Sequence, residues 1–530
     1  MNDQLPDDWT IPTTVGATTV DTQSYVTEGM DFKVLDVSIS PRYDAIGMDS
    51  GKAATEVCVT MKAKDIPDDE DSRAPVDIVV ALDISGSMRG NKLDLCKRTL
   101  ELLLRQLHSK DRFALIVYGS AAKISIPASF TTPKMKEGAA AKIKSLCVDG
   151  STNLSAGIAL AAQEMNSIHN PNQVRSIFLL TDGYANQGVT STDGIVSIVK
   201  SFNPTAPQPP AEAFQDLDLE TSLVDVVEQP DDASMDTKPR SITVTTAPPI
   251  SLHCFGYGTD HKSDMLKEIS SSSPGGTYYF VENDSDVSSA FGDAMGGILS
   301  VVAQSAVLSI GVPLAAAARD VSIVKVCHEE AIQRENGTYT VTVGDFYAEE
   351  TRDVLFEITL AGGSAGPSPV PHVVVSLSYT DTIQKNACST APFVCAISRP
   401  PGPAISECNV HVETQWLRLH AANEMQTADR EAQSNQLDAA RSRLNSLMQT
   451  ITASAPPIQA APLTVNLMSD IRTVQAGFRS RSTYVSAGHH TIQSKANYLR
   501  KQRCSEASVG TSNAYRTNKK GKMARKFGTV

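Results

Sequence analysis

Four apolar runs constrain this chain more than any other feature: DIVVALD (77–83), RFALIVYG (112–119), SIFLLTDG (176–183) and SLHCFGYG (251–258). A strand that is apolar at nearly every position has both faces buried, as happens in a parallel sheet covered by helices on either side. Helical periodicity fills the gaps. Leu93, Leu95, Leu100, Leu103, Leu104 and Leu107 mark one buried stripe, and further helices are expected at 134–146, 155–167, 262–270 and 287–299. KISIP (123–127) reads as a short edge strand. This alternation predicts an α/β fold, a doubly wound and mostly parallel sheet, over 75–299.

A chain of 530 residues has room for three or four folding units. After residue 299 the pattern changes to period two, in SAVLSIGV, VSIVKVC, GTYTVTVGDF, RDVLFEITL and PHVVVSLSYT, which predicts a β-sandwich over 300–400. FKVLDVSIS and ATEVCVTMKAK, within 31–72, alternate in the same way. They are expected to complete that sandwich, with the α/β unit inserted between. Residues 405–482, carrying Trp416, Leu417, Met425, Leu437, Leu444 and Leu447, predict a helical region. Three segments read as having no fold of their own: 1–30, an acidic insertion at 201–249, and a basic flexible tail at 495–530. The insertion holds nine acidic and no basic residues between 212 and 236, and the tail ten basic residues and one acidic.

The formal charge of −12 disfavours a nucleic-acid partner. Nine cysteines without a C-x-x-C pair fit neither a disulfide framework nor a zinc site and read as reduced thiols. The acidic N-terminus has no leader pattern, so a cytoplasmic location is expected. Residues 294–318 carry no charge, but Gln304, Pro313 and adjacent glycines make a helix end, a strand and a turn the better reading than a membrane span. The G-x-S-x-G at 362–366 is followed by Pro367 and Pro369, which is a loop and not a nucleophile elbow. His253, His261 and His328 lack ligand spacing, and neither a phosphate-binding G-x-x-x-x-G-K-[ST] nor an H-E-x-x-H occurs. Asn153, Asn283 and Asn336 begin glycosylation sequons that an intracellular chain would not use.

Chemistry concentrates directly after the first apolar run. Asp83-Ile84-Ser85-Gly86-Ser87 places D-x-S-x-S at the carboxyl end of a parallel strand, where open α/β sheets bind ligands. Aspartate and serine oxygens are hard donors that suit Mg²⁺. GSTNLSAG presents Thr152 before a helix, and FLLTDG presents Asp182 at the tip of another buried strand.

Together these residues resemble the metal-ion-dependent adhesion site of von Willebrand factor A domains, with all five positions matched. The resemblance implies that Asp83, Ser85, Ser87, Thr152 and Asp182 bind Mg²⁺, or Mn²⁺, some of them through water. An incompletely neutralised ion would attract a Glu or Asp of a partner protein: recognition, not enzymatic turnover. HCFGYGTDHKSDMLKEIS, GGTYYFVEN, AFGDAMGGILSVVAQ, VGDFYAEETRDVLFEI and the helical stretch near 418–444 extend the likeness to plant ubiquitin ligases of the WAVY GROWTH type. Their zinc-binding RING has no counterpart here, because only Cys58 lies in the first 75 residues. Two alternatives therefore stand beside the interaction module: a substrate-recognition subunit of a ubiquitin ligase, and an extracellular protein similar to inter-α-trypsin inhibitor heavy chains.

Overall fold

The apolar runs pair in the order β5-β4-β3-β6-β7-β8, where β3 is Val76–Asp83, β4 Arg112–Tyr118, β5 Ala122–Phe130, β6 Val174–Thr181, β7 Ile250–Tyr257 and β8 Tyr278–Val281. All neighbours are parallel except the edge strand β5. The computed structural model describes residues 34–47, 53–67, 73–203, 248–258, 261–317, 321–360, 366–402, 405–503 and 515–528. The expected segment 1–30 and most of the expected insertion at 201–249 lie outside them.

Alternation explains why the runs are apolar throughout. Ile78, Val80 and Leu82 face a core closed by helices α1 (Asn91–Gln106), α2 (Pro133–Lys144) and α6 (Asp284–Ile298), through Leu100, Ile143 and Phe291. Val79 and Ala81 face the opposite core, closed by α3 (Leu154–Asn166), α4 (Thr192–Ser201) and α5 (Ser263–Ser271) through Ile158, Val199 and Leu266.

Period-two sequence builds two further sheets. One has the order β1-β2-β13-β10 (Leu35–Pro41, Ala53–Ala63, Thr351–Leu360, Ser322–Val326). The other has the order β11-β12-β9-β14-β15 (Ala331–Gln333, Tyr339–Tyr347, Val301–Gly311, Gly366–Asp381, Asn386–Ser389), with β16 (Phe393–Arg399) also on β14. Strand β2, from before the α/β unit, pairs with β13 from after it, in register from Thr351↔Lys62 to Leu360↔Ala53. Val57, Val59 and Met61 meet Phe356, Leu308 and Val375 in the core between the sheets. Residues 294–318 divide into the end of α6, then β9, then the short helix α7 (Leu314–Ala317). Among the described residues no helix is long and apolar enough to cross a membrane.

The helical region comprises α8 (Val410–Gln433), α9 (Leu437–Thr452), α10 (Pro456–Ala460), α11 (Pro462–Gly477), α12 (Arg481–Thr483) and α13 (His489–Lys501) around Leu417, Leu444, Ile471 and Leu499. It runs past the expected boundary at 482.

The expectation of a flexible basic tail from 495 is corrected. Residues 495–501 belong to α13, and a last helix, α14 (Asn518–Gly528), lies against α6. Gly292 and Gly296 permit the approach: a Cβ on Gly292 would fall 2.3 Å from Ala524 Cα, and one on Gly296 2.7 Å from Lys520 Cα. Lys520 is 2% exposed, and its Nζ lies 3.1 Å from Asp293 Oδ2. A buried lysine needs such a counter-ion, which is what local charge counting misses. Replacing Gly292 by Val should displace α14 at a cost of about 1–3 kcal/mol, as overpacking does. Hydrogen exchange across 515–528 should then lose its protection, and unchanged protection would contradict the packing.

Candidate metal centre

Asp83 ends β3, and its carboxylate is wholly buried. Oδ1 accepts the Ser85 backbone N–H at 2.8 Å, and Oδ2 accepts the Thr181 hydroxyl at 2.8 Å. Burial pushes its pKa up to about 6 and the neighbouring Asp182 charge adds to the rise, while the bonds from Ser85 and Thr181 oppose it. Such a carboxyl is poised to gain from a nearby positive charge.

Ser85 and Ser87 lie on one tight turn with their Oγ atoms 3.1 Å apart. Ser85 is buried and Ser87 exposed, so the site opens on the Ser87 side. This turn is tied to the loop carrying Thr152 by Gly86 N–H to Gly150 O at 3.0 Å and Asp149 N–H to Ile84 O at 2.6 Å. Gly150 has φ +72°, the left-handed region, and a Cβ there would lie 2.2 Å from Ser120 Oγ, so the loop requires glycine at that point.

Thr152 is clasped by the loop after β6: its N–H donates to Asn186 Oδ1 at 2.8 Å, and its carbonyl accepts from the N–H groups of Asn186 and Gln187. Asn153 then caps α3, its Oδ1 accepting from Ala156 N–H at 3.1 Å and Ser155 Oγ at 3.0 Å. That cap occupies the side-chain oxygen of the first sequon.

Asp182 follows β6 and is wholly buried. Oδ2 lies 3.3 Å from Lys92 Nζ, whereas Oδ1 is buried and meets no hydrogen-bond partner. An orphaned carboxylate oxygen inside a protein costs about 1–3 kcal/mol or more. Two buried carboxylates, at the carboxyl ends of the neighbouring strands β3 and β6, thus stand beside the Ser85–Ser87 turn, which is tied to the loop that carries Thr152. This donor set is all hard oxygen, and it fits a small divalent cation.

Sequence reasoning missed Lys92, Thr181 and Asn186. The clearest signal was Lys92, a cation in the first turn of α1, where the helix dipole favours anions. Thr181 was visible as a polar residue closing an apolar strand. Among the histidines set aside, His253 is buried with neither ring nitrogen partnered, and burial lowers its pKa to about 3. His261 bonds to Gly258 O and to the Tyr278 hydroxyl. The G-x-S-x-G loop lies largely outside the described residues.

Residues 77–293 match the profile of the von Willebrand factor type A domain. They form such a domain. Its likeness to solved structures runs beyond the domain itself: a von Willebrand factor type A protein from Catenulispora acidiphila superposes with a TM-score of 0.58 at 14% identity, covering 86% of this chain and 96% of that one. This likeness shows a shared fold. Among curated proteins, the E3 ubiquitin-protein ligase WAV3 of Arabidopsis thaliana is 24% identical over 350 residues, 64% of this chain. The match covers 40% of the ligase's length. Inter-alpha-trypsin inhibitor heavy chain H1 of Homo sapiens is 28% identical over 131 residues, 23% of this chain and 14% of that protein.

Proposed function

We propose that the A domain is a metal-dependent protein-interaction module in which Asp83, Ser85, Ser87, Thr152 and Asp182 hold Mg²⁺, or Mn²⁺. The buried, unpartnered Oδ1 of Asp182 carries this reading, because it stands beside a second buried carboxylate, Asp83, and two neighbouring buried carboxylates gain together from one cation. When bound, the ion supplies an electrophilic point that a partner's Glu or Asp carboxylate can join. The chain's own residues do the rest. Thr181 and the Ser85 N–H aim the Asp83 carboxylate, Asn186 fixes the Thr152 loop, and the exposed edge at Ser87 leaves room for the visiting side chain.

Lys92 competes for Asp182 and so sets how tightly a cation is held. The eight described cysteines are all free thiols, which supports a reducing, cytoplasmic setting. Affinity purification with the full chain tests the module directly. A partner should be retained in Mg²⁺ and lost in EDTA, and retention unaffected by the chelator would contradict metal-dependent binding.

The likeness to WAV3 favours a second reading of the same module, as the recognition part of a ubiquitin ligase, because the match extends past the A domain. Co-purification with a ligase would support it. Ubiquitin transfer by the purified chain alone would contradict the view that this protein is not itself an enzyme.

A further inference from the structure

We propose that Cys58, Asp353 and His411 form a second cation site, softer than the one proposed at the ends of β3 and β6 and suited to Zn²⁺. The placement follows from strand alternation. Val57, Val59 and Met61 of β2 face the sandwich core, so Cys58 and Thr60 point the other way, toward α8. Asp353 stands directly opposite Thr60 in the β2–β13 register, and His411 projects from the first turn of α8.

The ligand atoms converge. Asp353 Oδ1 lies 3.6 Å from Cys58 Sγ, 2.8 Å from His411 Nε2 and 2.6 Å from Thr60 Oγ1. Sγ, Nε2 and the carboxylate oxygen all lie within 4.8 Å of one another. In a tetrahedral zinc site with bonds of about 2.0–2.3 Å, ligand atoms stand roughly 3.3–3.8 Å apart, so small side-chain adjustments suffice. Thiolate, imidazole and carboxylate together favour Zn²⁺ over Mg²⁺. Asp353 is also held firmly: its N–H donates to Gln502 Oε1 at 2.8 Å, and its carbonyl accepts from Gln502 Nε2 at 2.9 Å. Such rigid support is what ligating residues need. His411 is exposed, which gives an entry path, while Cys58 and Asp353 are buried.

Metal entry leaves the charge of the trio unchanged when His411 starts protonated: a thiol, a carboxylate and an imidazolium sum to zero, and the buried Arg418 guanidinium, 3.5 Å from the Asp353 carbonyl, adds the same positive charge in both states. Zn²⁺ entry breaks the Sγ–H and Nε2–H bonds, releases both protons to solvent, and forms bonds to sulfur, nitrogen and oxygen, so thiolate, carboxylate, imidazole and Zn²⁺ also sum to zero. A fourth position is left for water or the Thr60 hydroxyl. The ion would fasten the helical region to the sandwich.

Co²⁺ is the probe, added to the full chain in excess Mg²⁺ so that a hard-oxygen site is filled first. One equivalent should produce a near-ultraviolet thiolate charge-transfer band and strong visible bands of four-coordinate Co²⁺, both removed by Zn²⁺. Cys58→Ser and His411→Ala should each lose the charge-transfer band or weaken Co²⁺ binding by more than about tenfold. Cys147→Ser, Cys408→Ser and Asp182→Ala should keep it. His411 lies at the surface, so its variant remains informative if Cys58→Ser fails to fold. Absence of the band in the unaltered chain, or its survival in both Cys58→Ser and His411→Ala, would show that the trio is only a hydrogen-bonded latch. Loss of Mg²⁺ binding elsewhere would leave this result unchanged, so the two sites stand or fall separately.

Discussion

Asp182→Ala should weaken Mg²⁺ and Mn²⁺ binding by more than about 100-fold, because it deletes a carboxylate expected to ligate directly, and even supporting residues around metal ligands cost 10–100-fold. The fold should survive. Asp182 accepts one long hydrogen bond, from Lys92 at 3.3 Å, and its other oxygen is unpartnered, so truncation removes a buried charge and leaves a part-exposed ammonium that solvent can reach. Asp83→Ala is the less clean variant, since it also orphans the Ser85 N–H and the Thr181 hydroxyl. Metal-dependent thermal stabilisation provides the readout: saturating Mn²⁺ should raise the melting temperature of the unaltered chain and leave that of Asp182→Ala where it was. Lys92→Met should act in the opposite sense, tightening the site by up to about fivefold, the worth of a partly exposed ion pair of ~1 kcal/mol or less. A variant of Asp182 that still gains stability from Mn²⁺ would move the site elsewhere.

The second large effect lies where the A domain, the sandwich and the helical region meet. Glu350 is buried, and its Oε1 accepts from Arg352 Nε at 3.1 Å and Arg503 Nε at 2.9 Å. Arg503, just past α13, also donates to Gly275 O of the A domain at 3.0 Å and to Asp345 O of the sandwich at 2.5 Å. Glu350→Ala leaves two buried guanidinium groups facing one another, and removing one partner of a buried ionic network costs about 3–5 kcal/mol. The unfolding midpoint in urea should fall accordingly.

This network also carries an acid signature. Burial by itself would raise the Glu350 carboxyl, but Arg352 and Arg503 outweigh burial and hold its pKa at about 2, against an ordinary 4.5. A carboxyl depressed on folding contributes stability that is complete above its unfolded pKa and is lost as pH falls toward its folded one. The pair should therefore lose its contribution between about pH 4.5 and pH 2. Glu350→Gln should remove that part of the acid dependence, and unfolding curves of the two proteins across this window provide the comparison. Parallel curves would contradict the coupling.

The fold class was legible because its signal is local. A run such as Val79-Val80-Ala81-Leu82 needs apolar cover on both faces wherever it sits, and residues 32–40 and 54–64 need it on one. The placement of the candidate donors at the carboxyl ends of β3 and β6 was readable for a related reason: they sit at strand ends and loops whose position follows from the strands themselves. Interactions between distant residues were not legible. Lys520 reads as one charge of a basic tail until Asp293, on α6, is found beside it. Cys58, Asp353 and His411 have no ligand spacing in sequence, because the register between β2 and β13 and the docking of α8 bring them together. Lys92 offered a hint, as a cation in the first turn of α1, but its partner Asp182, 90 residues along the chain, is identified only by the fold.

Calorimetric titration of the full chain with Mg²⁺ tests the central claim most directly. A single saturable binding event at one ion per chain, absent from Asp182→Ala, is the predicted result. No binding of Mg²⁺ or Mn²⁺, or equal binding by the variant, would contradict it.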